Sequence, residues 1–99
     1  GIGIMRLTEN FRRARIDDAV RVTDQEMVEM LYHLAREDAL VVGTSAALNA
    51  RAAYEYARAR RGQNLRIVTF LCDHGSRYAS KIFNPEFLSS KSLQVRPLP

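Results

Sequence analysis

An α/β chain, with a parallel sheet held between layers of helices, is the fold class the sequence predicts. Three observations predict it. Two apolar runs, Ala39–Val42 and Leu65–Leu71, are short and rich in valine, isoleucine and phenylalanine, which suits buried strands better than helices. An alanine-rich stretch with helical spacing separates them, and it is long enough for a right-handed parallel crossover. Parallel strands that are apolar throughout need helices on both faces and further strands beside them, and this chain supplies only two. The expectation is therefore a fragment of a three-layer sandwich: a strand–helix–strand core with one preceding and one following helix.

Residues 1–22 show no clean period and read as loop with short extended pieces. Gly1 and Gly3 bracket Ile2, Arg12, Arg13 and Arg15 form a basic cluster, and Ala19–Val22 alternates briefly. Thr23-Asp24-Gln25-Glu26 is a capping box, in which the Thr23 hydroxyl accepts from the Glu26 N–H and the Glu26 side chain reaches back. Val22 and Met27 can form its hydrophobic staple. Met27, Val28, Leu31, Leu34 and Ala35 then carry helical spacing, so a helix is predicted over 24–37. Asp24 and Glu26 suit its first turn, where the dipole favours anions. The first strand, Ala39–Val42, is closed by Gly43. Thr44 or Ser45 opens the alanine-rich helix, which runs to Arg61 with Gly62 as its C-terminal cap. Ala46, Ala50, Ala53, Tyr54 and Ala57 share one face of it, with Arg51, Glu55 and Arg58 elsewhere. After the second strand, Asp73–Ser76 is a turn, and Ser76–Phe83 forms a further helix that Asn84-Pro85 breaks. The tail to Pro99 reads as a C-terminus.

Composition narrows the function classes. Of 99 residues, 46% are hydrophobic and 26% charged, an ordinary soluble balance that argues against disorder. The longest apolar runs fall far short of the roughly 20 residues a membrane helix needs. The lone cysteine, Cys72, rules out an internal disulfide framework and a cysteine-rich zinc site. Of the 15 basic residues only Lys81 and Lys91 are lysine, and the net charge is +4. Such a charge can serve nucleic acid, but no groove-reading or aromatic-platform motif accompanies it. Arg12, Arg13 and Arg15, and Arg58, Arg60 and Arg61 at a helix end, read as solvated charge. Gly1–Ile4 lacks the basic segment and apolar stretch of a signal peptide. It reads as a chain entered in mid-loop, part of something longer and cytoplasmic.

In open parallel sheets, ligands bind outside the carboxyl ends of the strands. Here those ends are Gly43-Thr44-Ser45 and Cys72-Asp73-His74. The first places hydroxyls at the mouth of a helix, a position suited to a polar or anionic ligand atom and equally to a plain N-cap. Asp73 can hold a cationic or N–H group, or serve as an ordinary turn residue. His74 offers an imidazole as acid, base or ligand but has no second histidine near it in sequence, since His33 lies on the first helix, so no metal site is expected. Cys72 reads as a buried structural thiol.

Gly1-Ile2-Gly3, the stretch Val42-Gly43-Thr44-Ser45-Ala46-Ala47-Leu48-Asn49, the stretch Leu71-Cys72-Asp73-His74-Gly75-Ser76-Arg77-Tyr78, and Ser80–Leu88 follow one another in order and at consistent spacing. Together they resemble the C-terminal third of a cysteine synthase, in the cysteine synthase and cystathionine β-synthase family of fold type II pyridoxal-phosphate enzymes. The resemblance covers essentially the whole chain. It implies that Ser45 stands where the family's serine hydrogen-bonds the pyridine nitrogen of pyridoxal 5'-phosphate, with Thr44 beside it. It implies that Asp73 matches the strand-end serine or aspartate near that nitrogen, and that Gly1, Ile2 and Gly3 border the substrate pocket. A neutral hydroxyl at the ring nitrogen leaves a weaker electron sink, which favours β-elimination. Thr44 and Ala47 replace glycines of the family pattern, and Cys72 replaces a proline.

The family's Schiff-base lysine, its substrate-binding asparagine loop and its phosphate cradle have no counterpart here. The resemblance therefore implies a chain that is inactive alone and works with the remainder of a parent enzyme, a homodimer acting on a small amino-acid substrate, with neither nucleic acid nor membrane as partner. The parent reaction would be β-replacement on an activated serine, O-acetylserine plus sulfide giving cysteine. The alternative is a non-catalytic interaction or regulatory domain that keeps the fold without the lysine.

Overall fold

The computed structural model describes residues 2–3 and 5–99. Four α-helices and one 3-10 turn make up its regular structure: α1 (Glu9–Arg13), α2 (Asp24–Glu37), α3 (Thr44–Ala59), the 3-10 turn Gly75–Tyr78, and α4 (Pro85–Ser90).

The single turn α1 replaces the loop expected within residues 1–22. Thr8 caps it, its hydroxyl accepting from the Phe11 N–H, and Glu9 pairs with Arg13 across one turn. An acidic first turn and a basic last turn both suit the dipole. The expected helix 24–37 is present with those bounds. Its capping box is complete, since Thr23 Oγ1 accepts from the Glu26 N–H at 3.2 Å and the Thr23 N–H donates to Glu26 Oε1 at 2.9 Å. Val22 and Met27 both join the hydrophobic cluster, as a staple requires.

The alanine helix begins one step earlier than expected and ends sooner. Gly43 is its N-cap, without any side-chain capping bond, so Thr44 and Ser45 are helical residues rather than caps. Arg60 is the C-cap, and Gly62, at φ +88°, turns the chain two residues later. Its buried stripe is Ala46, Ala47 and Arg51, while Ala57 is exposed. Small side chains at 46 and 47 let α2 and α3 pack closely, with Met27, Val28 and Leu31 against them. Ile82 and Leu88 close the far side of this core.

Further along, only Gly75–Tyr78 of the expected helix over 76–83 is regular. Asn84-Pro85 starts a helix instead of stopping one. Asn84 Oδ1 accepts from the Glu86 N–H, and proline takes the first helical position, where its missing N–H costs nothing.

Residues 39–42 and 65–71 are not helical, and among the described residues they form no paired strand. The one bridge is antiparallel and isolated, between Val42 and His74. Leu65, Ile67, Val68, Phe70 and Leu71 are all exposed, Val68 at 79% and Phe70 at 75%. A complete 11.3 kDa monomer has an accessible surface of about 5,700 Å², whereas this chain exposes 7716 Å². Its radius of gyration is 14.5 Å, against about 13 Å for a compact chain of this length. Among the described residues no helix is long and apolar enough to cross a membrane.

Candidate functional site

The two ends expected to carry chemistry meet. The Gly43 N–H donates to the Asp73 carbonyl at 2.9 Å, and the Gly75 N–H donates to the Val41 carbonyl at 3.0 Å. These two bonds lay residues 73–75 across the mouth of α3. Both glycines are required by close approach. A Cβ on Gly43 would run into the Asp73 carboxylate and lie 2.7 Å from Tyr78 Cε2. A Cβ on Gly75 would lie 2.7 Å from both Val41 Cγ1 and the Val42 carbonyl. Contacts that short are not tolerated, so neither site accepts a side chain without displacing its neighbour.

Asp73 is the centre of the cluster. The Tyr78 hydroxyl donates to Asp73 Oδ2 at 2.7 Å, and Arg77, itself largely exposed, lies 3.8 Å from the same oxygen. Asp73 Oδ1 is buried and has no hydrogen-bond partner. A buried acceptor left unpaired carries a desolvation cost on the order of 1–3 kcal/mol. The hydrogen bond to Asp73 raises the Tyr78 hydroxyl above the ordinary tyrosine pKa. Burial and the Asp73 charge act in the same direction, and the Thr44 side chain and Arg77 oppose it. Thr44 and Ser45 are half-buried in the first turn of α3, directly after Gly43.

The structure thus brings Asp73 to the N-cap of α3, the residue before Thr44 and Ser45. It adds Tyr78 and Gly75, and gives Gly43 a packing role beyond closing the first segment. Close-approach glycines leave a visible signal, a glycine at each strand end, but the Tyr78–Asp73 bond spans a turn of irregular backbone that no periodicity reveals. Ile2 and Gly3 are exposed, and Gly3 sits at φ +81° in open space. Among the described residues no hydrogen bond ties them to Asp73. Gly1 lies outside the described residues. Cys72 is exposed, contrary to the buried thiol expected, because among the described residues segment 65–71 has no neighbouring strand to cover it. His74 Nδ1 accepts from the Ser76 N–H at 3.0 Å and so caps the 3-10 turn. Among the described residues no cluster of His, Cys, Asp or Glu has the makings of a metal site.

A second network fixes α3 in place. Arg51, expected off the apolar face, is 3% exposed. It donates to Glu29 Oε1, to the Glu26 carbonyl and to Glu55 Oε1, each at 2.9 Å. Burial disfavours an ionised Glu29, but hydrogen bonds from Arg51 and Gln25 outweigh it and leave the carboxyl below its ordinary pKa. Glu26 is also held low, chiefly by the backbone N–H of Thr23. Gln25 in turn exchanges two hydrogen bonds with the backbone of Gln94, and Arg96 pairs with Glu29 at 3.3 Å, so the tail is strapped to α2.

No protein-family model matches the chain. It is similar to cysteine synthase 2 of Schizosaccharomyces pombe, with 48% identity over 95 residues, 94% of this chain and 24% of that protein. It is similar to the cysteine synthase of Dictyostelium discoideum, with 40% identity over 98 residues, 99% of this chain and 26% of that protein. An N-(2-amino-2-carboxyethyl)-L-glutamate synthase of Ralstonia nicotianae is 33% identical over 89 residues, 90% of this chain and 26% of that protein. The chain spans about a quarter of the length of the curated relatives it matches. Identity at this level, running along nearly the whole chain, places it in the cysteine synthase family.

Proposed function

We propose that this chain is one part of a pyridoxal-phosphate-dependent cysteine synthase that replaces the leaving group of an activated serine, O-acetylserine in the simplest case, with sulfide. The observation that carries the reading is the seating of Asp73 on Gly43, at the hydroxyl-bearing first turn of α3. That arrangement fits the cofactor's ring nitrogen: the nitrogen is an acceptor, the Thr44 and Ser45 hydroxyls are donors, and the Asp73 carboxylate, turned onto Gly43, borders the position without bonding the nitrogen.

In this reading Ser45 hydrogen-bonds the ring nitrogen, while Thr44 and Asp73 border it. Bound pyridoxal phosphate supplies the electron sink for β-elimination. Ser45 limits the strength of that sink, because a neutral hydroxyl does not hold a proton on the ring as a carboxylate would. Helix α3 presents its N-terminal dipole to the same place, and the Arg51 network keeps that end from shifting relative to α2. Gly1, Ile2 and Gly3 border the amino-acid substrate.

The lysine that bonds the cofactor comes from the rest of the parent. The chain's two lysines, Lys81 and Lys91, are exposed and lie toward its C-terminal end. The chain alone is therefore inactive. The excess of roughly 2,000 Å² over the surface of a compact monomer supports the same view. In the proposed parent, segments 39–42 and 65–71 pair with strands of the remainder to complete a parallel sheet between helical layers, and two such enzymes form a homodimer.

The test uses the full-length parent. Its purified form should carry the visible absorbance of bound pyridoxal phosphate, and O-acetylserine should bleach or shift that band. A parent without such absorbance, even after incubation with the cofactor, refutes the reading.

A further inference from the structure

Tyr78 belongs to none of the roles given above, yet it is the only side chain that donates to Asp73 at hydrogen-bond distance among the described residues. Its hydroxyl lies 2.7 Å from Asp73 Oδ2. Its ring edge lies so close to Gly43 that a Cβ there would come within 2.7 Å of it. Tyr78 therefore touches both halves of the cluster, the carboxylate on one side and the N-cap of α3 on the other. The consequence for Asp73 is geometric. A carboxylate whose Oδ2 is tied down cannot rotate freely about its Cβ–Cγ bond, so Oδ1 is held against Gly43, buried and without a donor. An unpaired buried oxygen would otherwise turn toward water or toward the exposed Arg77 guanidinium, which reaches only Oδ2, at 3.8 Å.

We propose that Tyr78 is a positioning residue of this site: its hydroxyl anchors Oδ2 and so holds the Asp73 carboxylate against Gly43, at the N-cap of α3 next to Thr44 and Ser45. The inference rests on the pyridoxal-phosphate reading. It deepens that reading by naming the group that holds Asp73 in register. Tyr78 does not touch the cofactor; it acts through Asp73.

The experiment measures the dissociation constant of pyridoxal phosphate for the full-length parent, by stripping the cofactor and titrating it back. Four proteins are compared: the wild type, Tyr78→Phe, Asp73→Ala and the double variant. Phenylalanine keeps the ring and its packing and removes only the hydroxyl, and unchanged far-ultraviolet circular dichroism with an unchanged thermal midpoint controls for folding. Loss of one hydrogen bond to a charged group should weaken cofactor binding by about tenfold. The double variant should bind no more weakly than Asp73→Ala alone, because Tyr78 has nothing left to position. The cofactor absorbance of Tyr78→Phe should shift toward that of Asp73→Ala. Cofactor affinity of Tyr78→Phe equal to wild type overturns the inference. So does a tenfold loss that recurs in the Asp73→Ala background, which would mark Tyr78 as a packing residue. A wild-type parent that captures no pyridoxal phosphate overturns the functional reading, and this inference falls with it, whereas the first two outcomes leave that reading standing.

Discussion

Replacing Arg51 by methionine is the perturbation that best tests how the chain positions its site. Methionine keeps most of the aliphatic stem and removes the guanidinium, so three bonds of 2.9 Å are lost at once. Glu29 is then a carboxylate only 10% exposed in its side chain, left with Gln25 and the outer guanidinium of Arg96. Removing one partner of a buried ion pair costs about 3–5 kcal/mol. Because Gln25 and Arg96 remain, and Glu55 and Glu26 can turn to water, the lower end applies, about 3 kcal/mol. For a chain of this length that corresponds to a fall in thermal midpoint of roughly 12–24 °C. Helix unfolding followed by circular dichroism measures it. Glu29→Leu alone should cost less, because Arg51 keeps Glu55 and the Glu26 carbonyl. The double variant should cost less than the sum of the two by about 2 kcal/mol, since it leaves no uncompensated buried charge. Costs that add to within about 0.5 kcal/mol would refute the claim that Arg51 and Glu29 act as a unit.

Other outcomes follow from the same geometry. Glu29 and Glu26 are held below the ordinary carboxyl value of 4.5, so their contribution is full above that pH and is lost as the pH falls through their folded values. The thermal midpoint should accordingly hold down to about pH 4.5 and then drop, and Glu29→Gln should flatten the drop. Thr23→Ala removes one half of the capping box and should destabilise α2 by about 1 kcal/mol in urea unfolding. Gly43→Ala puts a methyl group where the Asp73 carboxylate and the Tyr78 ring already sit. The full-length parent bearing it should lose captured cofactor, as read by its visible absorbance, while its far-ultraviolet spectrum is retained.

What the sequence discloses depends on how local the determining physics is. The helix 24–37 is legible to the residue, because the capping box and the apolar spacing both lie within it. The meeting of Gly43–Ser45 with Asp73 is legible in outline from the rule about strand ends, although the bridge that joins them is antiparallel and isolated. The N-cap of α3 is misplaced by one residue because a glycine cap has no side-chain signature, whereas Thr44 and Ser45 look like caps. Asn84-Pro85 reads equally as a helix stop and a helix start, and the fold of the following residues decides. Arg51 is hidden for a different reason: an arginine on a helix is a surface residue unless two carboxylates from another helix meet it, and that pairing spans 22 positions in the chain. Segment 65–71 has strand composition, and among the described residues it has no strand partner.

In the proposed parent this chain supplies the ring-nitrogen side of a pyridoxal-phosphate site, and the lysine lies elsewhere. Borohydride reduction of the cofactor-loaded full-length parent, followed by peptide mapping by mass spectrometry, tests it directly. The expected product carries a phosphopyridoxyl group on a lysine outside residues 1–99, with Lys81 and Lys91 unmodified. A modified Lys81 or Lys91, or a parent that takes up no label, would contradict it.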